Sequence, residues 1–119
     1  MIKVKDYNHV GIVVRNLVKC RWFYGELLGL ASLERPQFGF PGHWYQVGKN
    51  CALHLMVYEE EIPVTMRHFA LEVEDFEDTI KQLKANNIEI VDGPGKRVDN
   101  SDFLFCRDPD GNLVEITKH

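Results

Sequence analysis

The stretch "HVGIVVRNL" at residues 9–17 decides the fold, because a similar stretch, "HFALEVEDF", follows at residues 68–76. In both copies a histidine precedes apolar residues at alternate positions, the period of a β-strand with one buried face. Both copies then reach a residue type that caps helices, Asn16 in the first and Asp75 in the second. The sequence therefore predicts an internal duplication whose copies each begin with a strand that leads into a helix.

The segments after the two copies are also alike. Apolar residues recur at helical spacing over residues 17–28 and again over residues 76–83. Short strand patterns broken by Gly and Pro come next, and each copy closes with two strands around a turn, residues 48–50 in the first and 109–111 in the second. Each copy is therefore predicted to be a βαβββ module.

We expect an α+β fold in which the modules cover about residues 1–58 and 64–119 and are joined by a polar connector. Together they would form a single domain over residues 1–119, with a curved mixed sheet, helices outside and a concave metal-binding face inside. A chain of 119 residues is long enough to bury a substantial core.

Composition narrows the class of partner. The net charge of -4 gives no indication of nucleic acid or of an anionic membrane as a partner. The N-terminal residues lack the apolar stretch of a signal peptide, and no apolar run is long enough to span a bilayer. The three cysteines, Cys20, Cys51 and Cys106, are odd in number and predict reduced thiols in a cytoplasmic protein.

Strand parity places four polar residues at matching positions of the two modules. Each module offers one from its first strand and one from its last, on the face opposite the apolar residues: His9, His54, His68 and Glu115. Three imidazoles and one carboxylate suit a divalent transition metal such as Zn, Ni, Fe, Mn or Co. The sequence therefore predicts these four as metal ligands.

Glu115 has a second interpretation. It stands between Val114 and Ile116, and simple alternation would turn a lone strand carboxylate toward water. The two interpretations differ in whether Glu115 is exposed, which the sequence leaves open.

Aromatic and basic residues are also associated with the four predicted metal ligands. Trp44 and Phe105 should pair across their hairpins with His54 and Glu115, and they are candidates for substrate binding or for ordinary packing. Lys96 and Arg97 follow "GPG" in a loop and are interpreted as solvated charges rather than as contacts to an anionic substrate. His43 and His119 lie outside the pattern and receive no role.

These residues resemble the vicinal oxygen chelate superfamily, which includes glyoxalase I, extradiol dioxygenases, fosfomycin-resistance thiol transferases and bleomycin-binding proteins. The resemblance rests on "HVGIVVRNL…FYGELLGL", "FPGHWYQVG…HL", "HFALEV" and "DPDGNLVEI", and it covers nearly the whole chain. It implies paired βαβββ modules, a homodimer, and metal ligands at His9, His54, His68 and Glu115. The chain departs from glyoxalase I at His54, where that enzyme has Glu or Gln.

Such a site favours a lyase or isomerase resembling lactoylglutathione lyase. The metal would polarise a small 2-oxo or 2-hydroxy compound, which could be a thiol adduct, and Glu115 would carry the proton as the catalytic residue. Three alternatives stay open: a non-haem iron dioxygenase, a thiol transferase of the fosfomycin-resistance type, and a binding or resistance module without catalysis. Phe105 counts against phosphonate recognition, because the fosfomycin enzymes have a tyrosine there.

Overall fold

A computed structural model describes residues 1–119, and the chain divides into two compact units, Met1–Ile62 and Pro63–His119. Each unit contains a four-stranded mixed sheet and helical structure in the order strand, helix, strand, strand, strand. The predicted α+β class and the predicted duplication are confirmed.

The first unit has a sheet with the strand order β1-β4-β3-β2, in which β1 and β4 are parallel and the other neighbours are antiparallel. Its elements are β1 (His9–Val14), α1 (Leu17–Arg21), a π-helical segment that continues α1 (Trp22–Leu27), β2 (Ala31–Leu33), β3 (Gly42–Val47) and β4 (Cys51–Val57).

The second unit repeats this topology with the order β5-β8-β7-β6, in which β5 and β8 are parallel. Its elements are β5 (Phe69–Glu72), α2 (Phe76–Ala85), β6 (Ile90–Lys96), β7 (Asp102–Arg107) and β8 (Leu113–Lys118). In both units the last strand therefore lies between the first strand and its own hairpin partner.

The predicted helix caps are present in both units. The Asn16 side chain accepts a hydrogen bond from the Lys19 backbone N–H at 3.0 Å, and the Asp75 side chain accepts one from the Asp78 N–H at 2.9 Å. These bonds satisfy N–H groups that the first turn of a helix leaves without a partner. The first helix differs from prediction in that it changes to π geometry at Trp22.

The core of each unit follows the predicted alternation. Leu53 and Leu55 of β4 are buried in the first unit, as are Val114 and Ile116 of β8 in the second. Strand β8 is also buried on its other face, where Glu115 is only 8% exposed. The interpretation in which Glu115 points to water is therefore wrong.

The loop before β8 is longer than predicted. Strand β7 ends at Arg107 and β8 begins at Leu113, so residues 108–112 form the connection rather than 109–111 alone. The Asp108 side chain organises this loop by accepting hydrogen bonds from the backbone N–H groups of Asp110 and Asn112, both at 2.9 Å. The strand register is unaffected.

Two general features bear on the setting of the protein. None of the three cysteines forms a disulfide, and burial together with the Asp108 charge raises the pKa of the Cys106 thiol to about 12. Cys106 is therefore an inert packing residue. No helix has the length and apolar character needed to cross a membrane.

We expect Ile116→Ala to lower the free energy of unfolding by about 2–5 kcal/mol, because it removes a side chain that is 0% exposed and leaves a cavity between the sheet and its core. The exposed Val98 provides a control, since Val98→Ala should change stability by no more than about 0.5 kcal/mol. Urea denaturation of both variants measures the difference, and equal effects would contradict the assigned core.

Candidate functional site

The first half-site comprises His9, Trp44 and His54 and lies on neighbouring strands of the first sheet. Gly11 of β1 is opposite His54 of β4, so His9 lies two residues before the paired position. The His9 and His54 rings stack with their centroids 4.0 Å apart, and Trp44 stacks on His54 at 3.9 Å. Since two rings stacked on one ring must take opposite faces, His54 lies between His9 and Trp44.

The second half-site comprises His68, Phe105 and Glu115 and has the same register. Ala70 of β5 is opposite Glu115 of β8, so His68 again lies two residues before the paired position. The distance between His68 Nε2 and Glu115 Oε1 is 3.1 Å. Phe105 is opposite Glu115 across the β7–β8 hairpin, as Trp44 is opposite His54, and its ring lies 4.9 Å from that of His68.

Two of the histidines are oriented in the same way by a hydrogen bond from Nδ1. His9 Nδ1 lies 2.7 Å from the Asn8 side-chain oxygen, and His68 Nδ1 lies 2.7 Å from the Met66 carbonyl oxygen. Because an oxygen can only accept here, both rings carry a hydrogen on Nδ1 and present Nε2 outward. This arrangement is typical of metal-binding histidines, whose second nitrogen is held by an outer hydrogen bond.

The contact between His68 and Glu115 has a chemical consequence. With Nδ1 protonated, a neutral His68 has only a lone pair at Nε2, and an ionised Glu115 has only lone pairs at Oε1. Two acceptors 3.1 Å apart need a proton or a metal ion between them. The pair therefore has a place for one or the other.

Burial lowers the pKa of His54, and the nearby His9 and Arg35 lower it further. A neutral imidazole is the form that binds metals, so His54 is ready to act as a ligand at neutral pH.

His43 is outside the half-sites. Burial, Arg21 and Arg35 lower its pKa, and its Nε2 lies 2.8 Å from the Ser32 hydroxyl.

Arg97 belongs to the second half-site, whereas its sequence context indicates a solvated loop charge. Its Nη2 lies 2.8 Å from Glu115 Oε2, and the Glu115 side chain is 10% exposed. The interpretation of Arg97 as a solvated loop charge is therefore wrong. Lys96, at 58% exposed, instead pairs with Asp102 and with the Asn100 carbonyl oxygen. Burial of Glu115 was the missing information, because a buried carboxylate requires a charged partner.

The first half-site opens onto a cleft of about 560 Å³. Its lining includes His9, His54 and Trp44 together with Phe38 and Lys49. The indole of Trp44 therefore lies where it could contact a bound molecule as well as stack on His54. In the second unit the Phe105 ring contacts the rings of His68 and Phe103.

Comparison with known proteins settles the family. A model of the Glyoxalase/Bleomycin resistance protein/Dioxygenase superfamily matches residues 6–116. The chain belongs to this superfamily. The predicted resemblance is thus confirmed.

Curated relatives lie within this superfamily at low identity. A protein named metallothiol transferase FosB from Staphylococcus haemolyticus is 26% identical over 119 residues, with 95% of this chain and 83% of that protein covered. A protein named glyoxylase I 4 from Arabidopsis thaliana is 28% identical, with 97% and 71% covered.

Solved structures of the superfamily share the fold. A protein assigned to the glyoxalase family from Bacillus anthracis aligns with a TM-score of 0.86 at 24% identity and covers 100% of this chain and 98% of its own. A lactoylglutathione lyase from Agrobacterium tumefaciens aligns with a TM-score of 0.77 at 17% identity, with 98% and 95% covered. At these identities the likeness establishes the fold and not the reaction.

The superfamily implies a divalent metal, and the types of donor that the two units offer are suitable for one. Each unit holds two of the four predicted ligands, so within neither unit do three or more His, Cys, Asp or Glu side chains group to bind a metal. The donors themselves are suitable: the His9 and His68 imidazoles with Nδ1 held by an oxygen, the His54 imidazole with a lowered pKa, and a carboxylate already paired with the Arg97 guanidinium.

Acidification should destabilise the metal-free protein through His43 and His54, whose folded-state pKa values are lowered. Below about pH 6.5 these imidazoles bind protons more readily in the unfolded chain than in the folded chain. Stability is therefore lost as the pH falls from about 6.5 through the folded pKa values, and it is unaffected above that range.

Urea denaturation in the presence of a chelator, at about pH 7.5 and about pH 5.5, measures this loss. His43→Gln removes one of the two groups and should reduce the loss on acidification. A loss of the same size in this variant would contradict the assignment to His43.

Proposed function

We propose that this protein is a metal-dependent glyoxalase-like enzyme, a lyase or isomerase that acts on a small 2-oxo or 2-hydroxy compound or its thiol adduct. Its metal ligands would be His9, His54, His68 and Glu115. The observation that carries the proposal is the buried Glu115 carboxylate, which lies 3.1 Å from the imidazole of His68.

The ligand set supports a borderline transition metal such as Zn, Ni, Fe, Mn or Co rather than calcium or magnesium, which prefer all-oxygen sites. Three neutral imidazoles and one carboxylate would leave a divalent ion with a net charge near +1. Such an ion would polarise a substrate carbonyl and make the adjacent C–H more acidic.

Glu115 is the group that would move the proton. Its carboxylate would take a proton from the carbon next to the carbonyl, while the electrons of that C–H bond move toward the carbonyl oxygen. Returning the proton to the former carbonyl carbon, while the hydroxyl proton of the adjacent carbon passes to the former carbonyl oxygen, completes an isomerisation in which atoms and charge balance without a redox partner. The low exposure of Glu115 helps, because exclusion of water keeps the proton from exchanging with solvent.

Trp44 and Phe105 would form aromatic walls at the two half-sites. Trp44 is part of the first-unit cleft and is held by stacking on His54. Phe105 is held against His68 and opposite Glu115. Rigid aromatic surfaces of this kind orient small substrates at low entropic cost.

A thiol transfer of the metallothiol transferase type is the second candidate. The relatives named FosB support it, since one of them aligns with 95% of this chain. The phenyl ring of Phe105 argues against a phosphonate substrate, because it offers no hydroxyl to the anion. Parallel assays with a methylglyoxal–thiol adduct, and with a thiol plus fosfomycin, separate the two reactions.

The setting we propose is a cytoplasmic homodimer of single-domain chains, in which both modules of residues 1–119 serve one function. The three free cysteines support a reducing compartment. Closed two-fold dimers are the commonest assembly of small soluble enzymes.

We expect His68→Ala to weaken binding of Zn²⁺ or Ni²⁺ by more than about 100-fold, because loss of an outer-shell partner alone typically costs about 10–100-fold. Isothermal titration of metal-stripped protein measures the affinity. His119→Ala is the matched control, since the His119 side chain is 60% exposed and outside the half-sites. Equal affinities in the two variants would contradict the metal assignment.

We expect Glu115→Gln to bind metal more weakly and to lose proton-transfer turnover by roughly 10²–10⁴-fold, since the amide keeps an oxygen donor but loses the charge and the base. Turnover with the substrate found by the parallel assays, and metal affinity by titration, are the measurements. Glu77→Gln on the exposed part of α2 is the control. Matching behaviour of both variants would remove Glu115 from the mechanism.

A further inference from the structure

Arg97 is held in place by four features of the second unit. Its Nη2 lies 2.8 Å from Glu115 Oε2, and its guanidinium carbon lies 4.5 Å from the centre of the Phe103 ring. Its backbone N–H donates to the Ser101 carbonyl oxygen, and its own carbonyl accepts from the Asn100 N–H, both at 2.9 Å. The side chain is thus positioned by the turn between β6 and β7 before any ligand binds.

The two oxygens of Glu115 are divided between two cations or donors. Oε1 lies against His68 Nε2, and Oε2 lies against the guanidinium. A guanidinium stays protonated at any ordinary pH, so its charge cannot be removed to make room for another cation. Any metal ion that binds Glu115 must therefore displace this guanidinium or tolerate it close by.

We propose that the Arg97 guanidinium competes with a metal ion for the Glu115 carboxylate and thereby lowers the affinity of the site for the metal. The inference rests on the proposed function, in which Glu115 is a ligand. In the metal-free protein the guanidinium neutralises a carboxylate that would otherwise be buried without a charge partner. In the metal-bound protein its charge opposes the incoming ion, so loading occurs against a constant penalty.

A constant penalty lowers the affinity of every divalent ion by the same factor, so the order of preference among ions is left to the donor set. Imidazole donors favour borderline transition metals over Mg²⁺ and Ca²⁺. Arg97 therefore sets the concentration of the preferred metal at which Glu115 exchanges its guanidinium partner for the ion.

The test is titration of metal-stripped wild type, Arg97→Gln, Arg97→Lys and Lys96→Gln with Zn²⁺ or Ni²⁺. We expect Arg97→Gln to bind on the order of tenfold more tightly than wild type, because metal no longer has to break a charge-assisted pair. Arg97→Lys keeps the charge and should lie closer to wild type. Lys96→Gln removes a neighbouring charge whose ion pair is with Asp102, and it should change affinity little.

Several outcomes would overturn the inference. Weaker binding in Arg97→Gln would mean that Arg97 orients Glu115 for the metal, and equal gains in Arg97→Gln and Lys96→Gln would reduce the effect to net charge. Tight wild-type binding with no gain in Arg97→Gln overturns this inference alone. Absence of metal binding in all four proteins overturns it together with the proposed function.

A second measurement needs no metal. The melting temperatures of metal-free wild type, Arg97→Gln, Glu115→Gln and the double variant form a double-mutant cycle. We expect the double variant to be less destabilised than the sum of the single variants, because each single change leaves the other group without its partner. Additive losses would show that the pair does not form and would overturn the inference.

Discussion

A carboxylate in a strand that is buried on both faces constrains the whole second unit. Glu115 lies in the middle of β8, and removing an ionised carboxylate from water is costly unless charged or hydrogen-bonding partners replace the water. His68 and Arg97 supply those partners from two different elements, His68 from the residue before β5 and Arg97 from the turn after β6. The chain is thus arranged so that three elements converge on one side chain.

The first unit has the same register but a different chemical content. His54 takes the position of Glu115, and Trp44 takes that of Phe105. Because a neutral imidazole needs no counterion, the first half-site is stabilised by stacking of three rings rather than by ion pairs. The duplication has therefore produced one half-site without an ion pair and one with an ion pair from a single strand geometry.

Much of this could be predicted from the sequence because it depends on local period and on repetition. The alternation around His9 and His68, the caps at Asn16 and Asp75, and the pairing of Trp44 with His54 all follow from strand parity and turn position. The role of Arg97 could not be found in this way. Whether a loop cation points to water or to a carboxylate depends on how the β6–β7 turn curls back over β8, and no periodicity encodes that contact.

The family of this chain can be inferred from its sequence and fold more securely than its reaction can, and the reason is physical. The fold is specified by apolar periodicity over the whole chain, so relatives at about a quarter identity still align over nearly all of it. The reaction depends on a few atoms around one substrate, and relatives named for a thiol transferase and for a glyoxalase have similar overall identity to this chain, 26% and 28%. The discriminating groups in this chain are His54, which adds a third neutral nitrogen donor to the proposed set, and Phe105, which brings an apolar ring and no hydroxyl to Glu115. An apolar wall beside a buried carboxylate favours proton transfer on a small carbonyl compound over recognition of a phosphonate dianion, because a dianion needs donors at the place where this chain has a phenyl ring.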